Sequence, residues 1–255
     1  MKRLNIKLPI VLIALALGFS SCQKDNASIS ATDNTTAGIK LQALHKSFPL
    51  PVNNSRDKST SAVTASLLWD TARMIVSSVK FEAELKSVLT HHDSIEIEYK
   101  WNGPLEVDLF DSTIALGNLL LQPGFYDEIE IKVVGSKEDA GNSSVFYLHG
   151  FYTGIDSTTL PVMVIVNESV MFKTERDSVE ITASDISIFS STIELYLDQL
   201  MADVQPSALD DATLTDGMIV ISEDSNTELY ALIMQNLRKD HHCEHGHGHG
   251  NGHGH

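Results

Sequence analysis

The sequence holds two cysteines in 255 residues, Cys22 and Cys243, which excludes a disulfide-stapled scaffold and leaves the fold to its apolar core. Basic residues are also scarce: 18 Lys and Arg stand against 34 Asp and Glu, for a formal net charge of −16. Three of the basic residues, Lys2, Arg3 and Lys7, lie in the first 21 positions, so the remaining chain carries 15 basic against 34 acidic residues. Such a surface repels phosphate backbones and excludes nucleic acid, leaving cations, basic partners or mere solubility. No apolar run is long enough to span a bilayer, which needs roughly 20 residues; the longest runs from Leu8 to about Phe19. A Gly-rich phosphate loop, a Gly-x-Ser-x-Gly elbow and a His-Glu-x-x-His helix are all missing. The expectation is a non-enzymatic protein with no organic cofactor.

What is present begins with MKRLNIKLPIVLIALALGFSSC: basic start, short apolar run, small residues before Cys22. This is the pattern of a secretory signal over residues 1–21. Phe19-Ser20-Ser21-Cys22 resembles a bacterial lipobox, which implies lipidation of Cys22. Gln23-Lys24-Asp25 resembles the export signal of Bacteroidota lipoproteins. Together they imply an outer-membrane protein held by its lipid anchor only, on the cell-surface or the periplasmic face. Residues 22–63 are rich in Ser, Thr, Asn and Asp and predict a disordered tether, with the folded domain spanning 64–239.

Within that domain the hydropathy alternates with period two. Ile75, Ser77, Val79, Phe81 and Ala83 predict one strand face; Ile95, Ile97 and Tyr99 another; Leu105, Val107 and Leu109 a third, after a turn at Trp101-Asn102-Gly103-Pro104. Gln122-Pro123-Gly124 predicts a turn, and Ile129, Ile131 and Val133 a further strand. With more candidates between Val145 and Ser184, seven or eight short strands predict a mainly β fold, an antiparallel β-sandwich of Greek-key type. The glutamates and lysines on these strands read as solvated outer faces. Phe189, Ile193, Leu197, Leu200 and Met201 recur at helical spacing, predicting a helix within 186–204, and Gly217–Ser222 one more short strand. Ser225 and Glu228 form a capping box that opens a helix with Leu229, Leu232, Ile233 and Leu237 on its apolar face.

VDLFD at 107–111 and LGNLLLQPGFYDEIEIKV at 116–133 resemble the paired strand motifs of the family called domain of unknown function 4382. IVSSVKFEAEL resembles its first strand, so the likeness covers roughly residues 70–185. It implies a lipoprotein domain with a prealbumin-like sandwich and no assigned catalysis. Where that family carries an arginine in the later strand, this chain has Glu130.

Candidate ligands concentrate in Asp240–His255, DHHCEHGHGHGNGHGH, with seven histidines in sixteen positions. Neutral imidazole offers a lone pair to a metal, and intervening glycines let the chain fold several rings onto one ion. His241, His242, Cys243, Glu244 and His245 form a dense half, and His247, His249, His253 and His255 a looser one. Copper, nickel or zinc ions suit these donors. His91-His92-Asp93 and a polar turn at His149-Gly150 are weaker candidates, and Leu209–Gly217 is an acidic loop without EF-hand spacing. Five short triplets beginning at Asp70, Asp93, Asp111, Asp156 and Asp177 resemble the O-glycosylation signal of Bacteroidota. The competing reading is a surface module that binds glycan or protein through its sandwich loops.

Overall fold

The computed structural model describes residues 36–50, 64–86, 94–111, 116–182 and 190–239. The chain is mainly β, as expected: twelve strands and four helices are found among these residues. The strands are β1 (Thr36–Leu44), β2 (Ser47–Pro49), β3 (Ser66–Lys86), β4 (Ser94–Asp108), β5 (Gly117–Leu120) and β6 (Gly124–Gly135). They continue with β7 (Phe146–Thr153), β8 (Thr159–Val166), β9 (Val170–Ile181), β10 (Ser190–Tyr196), β11 (Leu214–Thr215) and β12 (Met218–Ile221). The helices are α1 (Lys137–Ala140), α2 (Leu197–Leu200), α3 (Pro206–Asp210) and α4 (Thr227–Lys239).

The 21-residue β3 is the spine of a nine-stranded sheet. Along one edge it pairs first with β7, over Ser66–Met74, and then with β6, over Ser78–Leu85. Along the other it pairs with β2 and then with β4. The path through the sheet runs β11-β12-β8-β7-β3-β6-β9. A second, three-stranded sheet has the order β10-β1-β5. Antiparallel pairing dominates, but β12 joins β8 and β10 joins β1 in parallel, so the sheets are mixed. The Leu109 amide donates to Ala72 O at 2.8 Å while its carbonyl accepts from Ala43 N at 2.8 Å, tying the small sheet to the large one.

Two irregularities in β3 set which residues face the core. A register shift at Val76–Ser78 places Val76 and Ser77 both inward, so Val79, Phe81 and Ala83 are buried while Ile75 turns to the outer face. The expected single face from Ile75 to Ala83 is corrected at Ile75 for this reason. A second shift, between Trp69 and Thr71, explains Gly150: a Cβ there would stand 2.1 Å from the Leu68 carbonyl oxygen. The His149-Gly150 turn is therefore corrected to mid-strand β7. The predicted turn at Trp101–Pro104 is also strand, since β4 runs through it opposite the Val76–Ser78 shift. Gly103 fits there because a Cβ would meet Val76 O at 2.3 Å. Gln122-Pro123 does separate β5 from β6.

Two expectations fail on what the local sequence pairs with. The tether expected over 22–63 contains β1 and β2, whose Ile39, Leu41 and Ala43 are buried in the core, as is Leu50 just beyond β2. Residues 22–35 and 51–63 lie outside the described residues. Of the helix expected within 186–204, residues 186–189 lie outside the described ones, and from Ser190 the chain is the strand β10 followed by the single helical turn α2: Ile193, Leu195 and Leu197 alternate inward because β1 lies alongside. The final helix α4 buries Leu229, Tyr230, Ile233, Met234 and Leu237, with Leu232 at its margin. Asn226 precedes it and ties the neighbouring loop, donating to Thr213 O and Val220 O and accepting from Thr213 N.

Candidate functional site

Four strands, in the order β4-β3-β6-β9, carry the same three-residue charge pattern at alternate positions. It reads Glu96-Glu98-Lys100 on β4, Lys80-Glu82-Glu84 on β3, Glu128-Glu130-Lys132 on β6 and Lys173-Glu175-Asp177 on β9. Because neighbours run antiparallel, the alternating order brings like residues into register. Lys100, Lys80, Lys132 and Lys173 form one row; Glu98, Glu82, Glu130 and Glu175 the next; Glu96, Glu84, Glu128 and Asp177 the third. Residues two apart share a face, so all twelve stand on the outer side of the sheet, about 4.8 Å apart across strands.

Like charges directly opposite on a sheet repel. The lysine row offsets this for its neighbour only. Glu130 is the hub: its carboxylate accepts from Lys132 at 3.0 Å and from Lys173 at 2.6 Å, and its side chain is 15% exposed. Lys173 also reaches Glu175 at 2.8 Å, and Lys80 pairs with Glu82. Partial burial pushes the Glu130 carboxyl up, but the bonds from Lys173 and Lys132 outweigh it and hold the group below its ordinary range. The bonds to Glu130 and then Glu175 raise the Lys173 ammonium. One row further from the lysines the balance reverses. Glu128 is pushed up, first by desolvation and then by Glu175, Asp177, Glu130 and Glu84.

Glu128, Glu130 and Glu175 each offer a carboxylate oxygen within 4.8 Å of the others. Carboxylate oxygens suit hard divalent ions. Here, however, two of the three already hold ammonium groups, so an ion would have to displace Lys173 and Lys132. The lattice is chemically a self-neutralising surface on one side and an unrelieved acidic strip on the other. It was legible as solvated outer faces; the row alignment was missed, although the mirrored Lys/Glu order along the chain carries it.

The two described histidines are both tied down. His149 Nδ1 lies 2.8 Å from Asp70 Oδ1, which also accepts from the Thr71 hydroxyl at 3.0 Å. Burial pushes the Asp70 carboxyl up, but the His149 and Thr71 bonds lower it on balance. His45 Nδ1 lies 2.7 Å from Asp198 Oδ1, with Tyr196 edge-on to its ring. The expected acidic loop Leu209–Gly217 is instead the end of α3, a turn and β11; Asp210, the last residue of α3, lines a shallow cavity with Tyr152 and Asp156, where the buried Tyr152 hydroxyl donates to Asp210 at 2.7 Å. Burial first, then the Asp210 bond, raise the Tyr152 hydroxyl. Asp156 is engaged locally, accepting from Thr158 N and from its hydroxyl, both at 2.8 Å.

Cys22, the pair His91 and His92 with Asp93, and the ligand candidates His241, His242, Cys243, Glu244, His245, His247, His249, His253 and His255 lie outside the described residues. No helix among the described residues is long and apolar enough to cross a membrane. Comparison with family models, with curated proteins and with solved structures finds no match to this chain.

Proposed function

We propose that this chain is a non-enzymatic, lipid-anchored protein of a bacterial outer membrane that binds copper, nickel or zinc ions through residues 241–255. The observation that carries the reading is the donor set itself: seven imidazoles, one thiol and Glu244 spaced by glycines. Imidazole and thiolate are borderline-to-soft ligands that suit these ions, copper(II) most strongly on intrinsic affinity. Glycine spacing means that binding must also order the chain, which favours capacity and fast exchange over a tight site. The folded domain supports the reading as a stand. Helix α4 is fixed at its end, where Arg238 reaches Glu168 at 3.0 Å and Asn236 donates to Leu200 O and Ala202 O. The donor-rich segment therefore departs from a firmly packed point. The signal-like start and Cys22 supply the anchor, and the strand motifs that resemble those of domain of unknown function 4382 fit an envelope lipoprotein.

A second reading is favoured by one surface. Leu68 and Phe151 are exposed and directly opposed across β3 and β7, next to Pro161, Met163 and Ile165 on β8. An apolar sheet face of this kind suits a protein or glycan partner.

Calorimetric titration of the chain with copper, nickel and zinc salts, beside a version ending at Lys239, separates the two. Micromolar binding that disappears with the last sixteen residues supports the metal reading. Binding should also fall away below about pH 6, where protons compete for the imidazoles. Equal binding by both versions moves the site into the β domain, and binding by neither leaves the interaction module.

A further inference from the structure

The outer edge of β4 is the place where this fold is unfinished. Among the described residues β4 pairs with β3 alone, and over Ser94–Asn102 it does so without a register shift, so nine consecutive residues present a straight, open edge. Open edges are usually blunted by charged side chains, by bends and bulges, or by a covering element, and β4 carries the first of these in Glu96, Glu98 and Lys100. The opposite edge strand, β9, has two of these: Ser178 sits at φ 55°, and α4 approaches its start, with Tyr230 and Arg238 bonded to Glu168. Over Ser94–Asn102 β4 has neither a positive φ nor a described strand along its outer edge. Its inward side chains are incompletely covered: Ile95 is 55% exposed, and Ile97, Tyr99 and Trp101 are half-buried against the core.

We propose that this edge pairs with the same edge of a second copy of the chain, in an antiparallel two-fold register centred on Tyr99. The sequence of β4 is complementary to itself in that register. Glu98 stands opposite the partner's Lys100 and Lys100 opposite the partner's Glu98. Glu96 meets the partner's Asn102, and on the inner face Ile97 meets the partner's Trp101. No like charges are directly opposed. Shifting the centre to Ile97 sets Glu96 against Glu98, and centring on Glu98 sets that residue against itself. Within one subunit every row of the lattice is a run of like charges. Across the proposed interface the lysine row abuts the partner's glutamate row, so association relieves repulsion that folding leaves in place. The joined edges would make one continuous sheet and bring Ile97 and Trp101 of each copy under cover.

Sedimentation equilibrium of the purified full chain in EDTA, which prevents association through metal ions, tests this directly. The expected result is a reversible monomer–dimer equilibrium. Glu98→Lys puts lysine opposite lysine twice in the dimer and should weaken it about tenfold. The same change places a lysine beside Glu82 within the subunit, so the fold itself gains rather than loses an opposite-charge neighbour. The double variant Glu98→Lys, Lys100→Glu restores both cross-pairs and should return association to within about threefold of the parent. A chain that stays monomeric at every concentration overturns the proposal. So does a dimer whose strength is the same in the parent and both variants.

Discussion

Along the outer side of β3, residues Leu68 to Ile75 belong to a surface of mixed but mostly apolar character, while Lys80 to Glu84 belong to the charged lattice. Both stretches sit on one strand, and beneath both the core is the same: Leu67, Trp69 and Met74 on one side of the Val76–Ser78 irregularity, Val79 and Phe81 on the other, all essentially inaccessible. The inner faces are set by packing, which tolerates little variation. The outer faces are set by what the strand meets next. Around β7 and β8 the outward residues are Tyr147, Phe151, Met163 and Ile165, with Arg73 lying over the Tyr147 ring at 4.7 Å. Around β6 and β9 they are eight acids and four lysines in rows, counting β3 and β4. One sheet thus presents a mostly apolar half and a charged half, and the bulge between them is where the alternation changes phase.

If the two halves share one core, Trp69→Ala and Phe81→Ala should cost about 3–5 kcal/mol each and leave a single denaturant transition. Two separate transitions in either variant would show that the halves are independently folded and break the comparison. The outer faces should differ more. Glu130→Ala strands Lys132 and takes one of the two carboxylate partners of Lys173, and should cost about 1–3 kcal/mol, read from the same denaturation curves. In the apolar half the corresponding polar contact is the Asp70–His149 pair, where Asp70 is 44% exposed, and Asp70→Asn should cost no more than about 1 kcal/mol. Its pH dependence has a fixed sign. A carboxyl held below its ordinary value of 3.8 stabilises the fold above that value, and the contribution is lost as pH falls through the lowered one. Parent and Asp70→Asn curves should therefore run apart at neutral pH and converge below about pH 4. A cost at Asp70 equal to that at Glu130 would remove the distinction between hub and isolated pair.

Much of this was written in the chain. The period-two runs gave the inward faces of β3, β4 and β6, and the Lys-x-Glu-x-Glu order of β3, mirrored on its neighbours β4 and β6 and mirrored again as Lys-x-Glu-x-Asp on β9, matches the antiparallel register. What stayed hidden depended on remote partners. Ile39, Leu41 and Ala43 alternate correctly, but they sit in a polar stretch whose apolar content looks too small to bury until β5 and β10 lie on either side. The segment around Ile193 fits both a four-residue and a two-residue period, and only the presence of β1 decides for strand. Gly103 and Gly150 read locally as turn residues, although each is glycine because another strand's carbonyl passes within 2.3 Å of its missing Cβ. The donor-rich segment 240–255 is defined by composition alone and lies outside the described residues.

The smallest expected effect separates the two acidic rows from each other. Glu128 stands opposite Glu84 and Asp177 and beyond the reach of the lysine row, whereas Glu130 is gripped by two lysines. The folded protein therefore binds a proton at Glu128 more readily than the unfolded chain does, chiefly through desolvation and then through Glu175 and Asp177. By linkage, a raised carboxyl lowers stability as pH rises from the ordinary value of 4.5 through the raised one, and the loss is complete above it. Glu128→Gln removes that loss and keeps the shape. The variant should be more stable than the parent at neutral pH and equal to it in acid below the carboxylate range, in denaturation midpoints measured across pH. Glu130→Gln should move the opposite way at neutral pH, because it weakens a bonded carboxylate rather than relieving a crowded one. Two glutamates two residues apart on one strand would then respond with opposite signs. If both substitutions shift stability in the same direction, the rows act as one averaged field, and the lysine row does not divide the lattice into a neutralised side and an acidic strip.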